Sequence, residues 1–426
     1  MVPNPTIMQA VEQLGYRVTV GDVAIQSGLN VNSAHQGLLT LASQAGGHLQ
    51  VAQSGEIVYQ FPKNFRAILR NKFLRLRLQA WWRKIWRVLV YLVRISFGIV
   101  LLLSIALIVV AIFAILVSLN RDSDDRSSDS GGGIVYMPQF WIGPDWYWIF
   151  YPDYGRRGQK QREKRELNFL EAIFSFLFGD GNPNADLEER RWQAIAATIR
   201  NHGGVVVAEQ IAPYLDQLGT GYAKEYEDYM LPVLTRFNGI PEVTAKGEIV
   251  YSFPELQVTA TQRDRAAVAP YLQELPWRFS AATSGQITLA AGLGVLNLGG
   301  ALFLGSLLAD GIAAQLGGVV AFVAAIYWLL LGYGTLFLAI PLMRYFWVKA
   351  RNRKIGDRNS QRQARADFVT DASVQQKITA AQLLRANTVI TQQDLIYSTE
   401  TDLLDQEAAD QVDAEWQRRL DRSESS

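Results

Sequence analysis

Nine residues, Ser54-Gly-Glu-Ile-Val-Tyr-Gln-Phe-Pro62, recur as Lys246-Gly-Glu-Ile-Val-Tyr-Ser-Phe-Pro254, with seven of nine identical, on the far side of a long apolar segment. The pairing extends back through Val51 and Val243, Gly47 and Gly239, and Leu39 and Leu231. Further upstream, Gly15 to Ala24 resembles Gly203 to Ala212 after a four-residue change of offset, the mark of a loop insertion. An internal repeat constrains the fold before any motif does, because the chain must build the same small unit twice.

In the first copy, Thr6 to Leu14 patterns as an amphipathic helix with Ile7, Val11 and Leu14 on one side, ended by Gly15. Val18 and Val20 predict a short strand. Thr19 is placed to cap a helix over 21–26 that Gly28 terminates. Asn32 or Ser33 would cap a third, carrying Leu38, Leu39, Leu41 and Ala42 and stopped at Gly46-Gly47. Leu49, Val51, Ile57, Tyr59 and Phe61 then alternate about a turn at Gln53-Ser54-Gly55. Three helices followed by a hairpin is the winged-helix order. The expected fold class is α+β, winged-helix-like repeats combined with transmembrane α-helices, with modules at 1–62 and 186–256. Residues 375–422 read as a helical C-terminal module. It is either a plain tail or a reduced third copy, with a helix over 379–386, a stretch from Thr388 to Leu395 like that around Val18 to Val23, and a last helix over 407–420.

Winged helices often bind DNA, so charge decides what these could bind. Residues 1–61 hold Arg17 against Glu12, Asp22 and Glu56, a net of −2. Residues 186–254 hold six Lys/Arg against ten Asp/Glu, a net of −4, and residues 375–426 five against ten, a net of −5. No Lys or Arg lies between Val31 and Gln44, where a recognition helix would sit; only Asn32 and Gln36 could touch a base. Duplex binding needs cations on phosphates and Arg or Lys at base edges, so this composition argues against nucleic acid and for protein partners.

Residues 95–119 are 25 positions without a charge, enough to cross a hydrocarbon core of about 30 Å. Residues 287–308 and 319–343 are two further apolar runs, expected to form a helical hairpin around Asp310. Gly292, Gly299, Gly300, Gly305, Gly332 and Gly334 stud these runs, as do Gly294 and several alanines; small residues let helix backbones approach in lipid, so they are expected at packing contacts. Asn297 is the one strongly polar side chain in the hairpin and is expected in an interhelical hydrogen bond. A transporter or channel component would normally carry a cluster of such groups.

Basic residues fall in three blocks. Residues 63–94 hold ten Lys/Arg and no acid, 156–165 hold six against Glu163, and 344–365 hold eight against Asp357. The positive-inside rule places all three on the cytoplasmic or stromal face. A single crossing at 95–119 would split the first two blocks. Either the aromatic segment at 134–152 enters the membrane and returns, the reading favoured because it keeps both repeats on one side, or it lies at the interface and residues 120–285 and the tail are on the far side. Pro138, Pro144 and Asp145 oppose a regular helix, and the acidic, Gly/Ser-rich loop at 120–133 suits the far side. Residues 153–185 form a basic linker and an apolar helix. In 63–94, Phe65, Ile68, Leu69, Phe73 and Leu76 form a stripe flanked by Arg66, Arg70, Lys72, Arg75 and Arg77; Trp81 and Trp82, Arg83 and Lys84, and Trp86 and Arg87 follow. This pattern suits a basic amphipathic helix that binds anionic headgroups before turning into the span.

Catalytic, cofactor-binding and metal residues are not indicated. The chain has no Cys, and His35, His48 and His202 lack metal-ligand spacing. No phosphate loop, dinucleotide fingerprint or nucleophile elbow occurs. Asp180-Gly-Asn-Pro-Asn-Ala-Asp186 begins like a calcium loop but has Ala185 where the turn Gly belongs and Arg191 where the bidentate Glu belongs. Asn184 or Asp186 is better read as the cap of a helix over 187–200.

The stretch from Phe169 to Asn184, with the two Gly-Glu-Ile-Val-Tyr-x-Phe-Pro repeats, resembles a little-characterised membrane-protein family of cyanobacteria and chloroplasts. Its plant members are sometimes labelled iron–sulfur cluster biosynthesis proteins; without Cys, that label cannot mean cluster ligation here. The resemblance implies a photosynthetic membrane and an assembly role. Taken with the residues, it makes the expected function that of a non-catalytic, multi-pass membrane scaffold or assembly factor without cofactors, in a thylakoid or cytoplasmic membrane. Its expected partners are anionic membrane lipids and proteins of a membrane complex, with self-association left open. The rival readings are a membrane-anchored transcription regulator and a transporter or channel component.

Overall fold

A computed structural model describes residues 3–72, 74–124, 168–221, 225–262, 264–309 and 315–400. The chain forms two compact units. A mixed α/β unit draws on Met1–Ala80, Asn184–Leu275 and Lys354–Ser426; a helical unit draws on Trp81–Pro183 and Pro276–Arg353.

The mixed unit opens with α1 (Pro5–Gln13), β1 (Arg17–Val18), α2 (Val20–Ser27), α3 (Val31–Ala45), β2 (His48–Ala52), β3 (Ile57–Gln60) and α4 (Phe65–Lys72). Thr19 caps α2 through a reciprocal box with Asp22, and Gly28 closes it at φ +66°, both as expected. Asn30, not Asn32 or Ser33, caps α3: its side chain accepts from the Asn32 N–H, so the helix starts two or three residues earlier than the apolar pattern suggested. After α5 (Leu74–Asp124) and α6 (Phe169–Phe178) of the helical unit, the mixed unit resumes. It continues with α7 (Leu187–Asn201), β4 (Val205–Val206), α8 (Ala208–Ile211), α9 (Leu231–Phe237), β5 (Ile240–Val243), β6 (Ile249–Ser252), α10 (Pro254–Gln257) and β7 (Val258–Thr259).

The strand registers follow the sequence pairing. Val18 lies opposite Tyr59 and Val206 opposite Tyr251; Leu49 and Val51 face Tyr59 and Ile57, while Pro241 and Val243 face Tyr251 and Ile249. The helices differ more, since α9 has 7 residues where α3 has 15. Apolar side chains of both halves, from Ile7, Val11, Leu38 and Tyr59 to Ile195, Val233, Phe237 and Phe253, bury in one continuous core.

The C-terminal stretch serves the same unit. After α11 (Ser284–Leu308), α12 (Gly318–Ala325) and α13 (Tyr327–Phe368) come α14 (Ala372–Ala381), β8 (Thr388–Val389) and β9 (Leu395–Ser398). The helix expected over 379–386 thus lies earlier in the chain. Thr388 to Leu395 leads into a strand, whereas Val18 to Val23 leads into a helix, so their likeness stops at the sequence. Residues 407–420 lie outside the described residues. β8 pairs in parallel with β7, and β9 adds antiparallel to β2, giving a sheet of order β1-β3-β2-β9. On that edge, Leu49 N–H donates to Thr399 Oγ1 at 2.9 Å and Leu49 O accepts from Thr399 N–H at 2.9 Å. Pro241, which has no N–H, holds Leu49's register position in the other sheet. β5 is an edge strand there, with Pro241 blunting it.

In the helical unit, α5, α11 and α13 meet the length and apolarity of membrane spans. At 1.5 Å per residue, the 25 residues of α11 reach about 38 Å, beyond the roughly 30 Å hydrocarbon core. Two expectations change here. The apolar run at 319–343 is not one helix: Ile326 leaves helical geometry (φ −102°, ψ 8°) and separates α12 from α13. The basic segment is divided between α4 and α5, and from Leu74 it runs into the span without a break, because α5 continues through Asp124. No Gly or Pro occurs between Leu74 and Phe97 to break it. In α6, Ile173 and Phe176 bury with Leu101, Ala290 and Phe337. The aromatic run at 134–152 and the basic block at 156–165 lie outside the described residues.

Candidate functional site

The chemistry of the mixed unit concentrates where its two halves meet. Helix α2 carries Asp22, which is 1% exposed. Its Oδ1 accepts from Arg200 of α7 at 3.1 Å and from the Thr259 hydroxyl at 2.9 Å; its Oδ2 accepts from the Ala260 N–H at 3.0 Å and the Thr19 N–H at 3.1 Å. Thr19 Oγ1 donates to Val258 O at 3.2 Å. Arg17 donates to the carbonyls of Ala260 and Ile390, so the tail strand β8 reaches the same joint. Residues counted as acidic and basic surface in the sequence are here internal partners.

A second seam joins the helix ends. Arg236, at the end of α9, donates to Gly28 O from Nε at 2.8 Å and from Nη2 at 2.6 Å, and stacks over Trp192 at 4.3 Å. Asn30 at the start of α3 donates to Thr235 O at 3.1 Å. Gly28 is required twice over, by its positive φ and because a Cβ there would lie 3.0 Å from the Trp192 Cβ. The N-terminal end of α3, which in a DNA-reading helix would meet bases, is held by α9. The rest of its outer face (Ser33, His35, Gln36 and Leu39) is exposed and carries no formal charge.

The third seam uses the far end of α13. Arg362, 2% exposed, pairs with Glu274 at 2.8 Å and with Asp216, and donates to Leu272 O at 3.0 Å. Arg358 makes a second pair with Glu274 at 2.6 Å. The hydrogen bond from Arg358, against the cost of burial and with help from Arg362, holds the Glu274 carboxyl below the usual glutamate range. Lys377 of α14 pairs with Glu209 at 2.7 Å, and Tyr251 donates to Glu227 at 2.7 Å. Burial and the Glu227 carboxylate both push the Tyr251 phenol up; Tyr59, at the same register position, is pushed up to about 12 by burial alone. Asp22, Arg200, Asp216, Glu274 and Arg362 are the residues sequence reading missed. The spacing of Arg358, Arg362 and Arg365 on one helix face was its only signal.

The membrane-surface candidates divide. Phe65 and Leu69 are fully buried in the mixed core, with Phe65 against Tyr16 and Phe61. Two residues of the apolar stripe on α4 are therefore covered by protein, while a third, Ile68, is exposed. Arg66, which pairs with Glu12, and Arg70, Lys84 and Arg87 are exposed. Lys72 ends α4, and Arg75, Arg77 and Arg83 lie on α5. Trp81, Trp82 and Trp86 are more than half exposed, with Trp82 stacked on Trp86. Of the third basic block, Arg344 donates to Phe176 O at the C-terminal turn of α6, and Arg351 stacks on Trp277 and Trp347.

The glycines divide too. A Cβ on Gly300 would meet Ile108 at 3.0 Å, on Gly305 the Tyr327 hydroxyl at 2.1 Å, and on Gly334 the Asn297 Nδ2 at 3.1 Å, so these sit at close helix contacts. Gly294 does the same against Phe337. Among the described residues, a Cβ on Gly292, Gly299 or Gly332 would meet nothing within 4 Å. Asn297, 1% exposed, accepts from Ser104 at 2.8 Å, the expected interhelical bond.

The calcium-like run is used structurally. Asp180 accepts from Ser175 Oγ at 2.8 Å and the Ala281 N–H at 2.7 Å, while Asn184 brackets the Leu275 backbone, donating to its carbonyl and accepting from its N–H, both at 2.8 Å. Asp186 holds the cap position of α7 without a side-chain cap bond and pairs with Arg190 instead. Among the described residues, no group of three His, Cys, Asp or Glu is placed to hold a metal ion.

Three membrane-length helices joined to a mixed α/β unit closed by buried polar seams define the class of this protein. An uncharacterised chloroplastic protein of Arabidopsis thaliana, At5g03900, is 38% identical over 435 aligned residues, covering 98% of this chain and 82% of the relative. The chain belongs to the family of that chloroplastic protein. No family model matches it, and no solved structure matches it.

Proposed function

We propose that this chain is a multi-pass membrane scaffold or assembly factor. Its two winged-helix-like repeats, locked into one body, present a protein-binding surface beside the membrane. The observation that carries the reading is the way the mixed unit is assembled. Its stretches before α5, between α6 and α11, and from the far end of α13 onward close on one another through Asp22–Arg200, Glu274–Arg362 and Lys377–Glu209. Such contacts do not form across a bilayer. They support an even number of crossings between each pair of stretches, and so a return through the membrane by the aromatic segment at 134–152. The matching strand registers support descent of both halves from one winged-helix unit. The exposed cations Arg66 and Arg70 of the mixed unit, and Lys84 and Arg87 with Trp81, Trp82 and Trp86 of the helical unit, favour an anionic lipid surface, and the relative's chloroplastic label favours a thylakoid membrane.

The uncharged outer face of α3 and the seam at its N-terminus favour protein over DNA as the partner. The detergent-solubilised full chain is therefore expected to retard a duplex oligonucleotide no more than a neutral control protein in a mobility-shift titration at moderate salt. Retardation that falls steeply as salt rises would report phosphate contacts and favour the regulator instead. Pull-down of the tagged chain from solubilised membranes, with co-purification of the same membrane-complex subunits in independent preparations, is the positive arm of the test.

A further inference from the structure

The two repeats differ in what lies on the outer edge of their hairpins. In the first, alternate positions of β2 turn away from β3 and meet the tail strand. Leu49 exchanges hydrogen bonds with Thr399, Val51 lies opposite Tyr397, and Gln53 N–H donates to Asp394 O at 2.8 Å. In the second, β5 is placed alike. Thr244 N–H donates to Glu248 O at 2.9 Å, as Ala52 N–H does to Glu56 O, so Pro241, Val243 and Ala245 turn away from β6. Among the described residues, no strand pairs with that edge, and Val243 is 71% exposed. Pro241 withholds one N–H, but its carbonyl, both main-chain groups of Val243 and the Ala245 N–H remain. The edge faces a helix across a groove. One wall runs from Glu242 to Lys246; the other is α14 and the turn after it, where Thr379, Ala380 and Leu383 line the groove and no lining residue is charged.

We propose that this groove takes an extended segment of a partner protein, added antiparallel to β5 as a further strand with uncharged side chains toward α14. The inference rests on the scaffold reading and names where a partner docks. The first repeat identifies the occupant's class: the matching edge of β2 is filled by a strand, β9, within a run of five uncharged residues, Leu395 to Thr399. Main-chain chemistry selects a strand over a helix. A helix spends its N–H and C=O groups on itself and offers none sideways to Val243 and Ala245, whereas an added strand pairs with them and points alternate side chains at the α14 wall. Leu383, 86% exposed on that wall, gives those side chains an apolar contact. The chain's own residues 401–426 suit the groove poorly, since they contain no more than two consecutive uncharged residues. Pro241 restricts pairing to a short segment and guards the edge against longer, unselective strand addition.

The test measures fluorescence anisotropy of a labelled, end-blocked peptide with the sequence of residues 393–400, titrated with the full chain in detergent. Saturable binding to the wild type is expected. Single N-methyl substitutions along the peptide are expected to weaken binding about tenfold at alternate amides, those facing β5, and to leave it unchanged at the amides between. Val243→Pro is expected to weaken binding about tenfold, and Val243→Thr, which keeps the N–H, to leave it unchanged. The N-methyl series uses unaltered protein, so it decides the matter even where Val243→Pro does not fold. Absence of saturable binding, an N-methyl effect at every position or at none, or equal binding by wild type and Val243→Pro would each overturn the edge assignment. So would binding that appears only after removal of residues 401–426, which would give the groove to this chain's own C-terminus, or a dimer that Val243→Pro dissociates, which would give it to a second copy. Co-purification of the same subunits by Val243→Pro and wild type would overturn the edge and keep the scaffold reading; failure of the wild type to co-purify any constant subunit would overturn the scaffold reading itself.

Discussion

Asp22→Ala is expected to destabilise the mixed unit by about 3–5 kcal/mol, the range for removing one partner of a buried charge pair. The loss is large because four donors converge on one 1%-exposed carboxylate. Without it, Arg200 keeps a charge with no counter-ion at the joint, and the Ala260 N–H loses its acceptor. The capping box of α2 fails as well. Pulse proteolysis of the full chain in a urea series reads this unit separately from the membrane-length helices. Asp186→Ala is the control, since its pair with Arg190 is a partly exposed i,i+4 bridge worth well under about 1 kcal/mol. Equal midpoints for the two variants would show that the joint does not hold the halves together.

Arg362→Ala is the second large effect, expected at about 3 kcal/mol or more because it strips a buried carboxylate of one of its two cations. It carries a pH signature that simple loss of packing would not. The folded form of Glu274 has a lowered pKa, chiefly through its hydrogen bond from Arg358. Its contribution is therefore fully present above the ordinary glutamate value of about 4.3 and disappears as pH falls through the lower folded value. The wild-type unfolding free energy should thus fall with acidification below about pH 4.3, and the variant should fall less steeply. Parallel pH profiles for wild type and variant would remove Arg362 from the stabilisation of Glu274.

Much of the local structure was legible because it rests on short-range rules. Thr19 with Asp22 and Gly28 define α2 through cap chemistry, and the alternation of Leu49, Val51, Ile57 and Tyr59 defines a hairpin. The shared nine-residue sequence even anticipated that Tyr59 and Tyr251 would hold the same register. The seams were not legible, because a single sequence says which residues are charged but not which meet. Asp22 and Arg362 were counted as surface charge and are nearly inaccessible. The amphipathic stripe of α4 was read correctly as a pattern, but Phe65 and Leu69 face protein; periodicity reports that a face is buried and not by what. The glycines divide for the same reason. Gly305 and Gly332 look alike in sequence, yet one lies under Tyr327 and the other lines a groove.

The central claim is that three separated stretches of chain share one side of a membrane and close there into one body. Protease protection on sealed vesicles tests it most directly, with tags at the N-terminus, after residue 160 and at Ser426. All three tags are expected to be cleaved together in one vesicle orientation and protected together in the other. Protection of the tag after residue 160 while the N-terminal tag is cleaved would mean a single crossing before Arg156. The Asp22–Arg200 joint would then have to span the bilayer, and the account would be wrong.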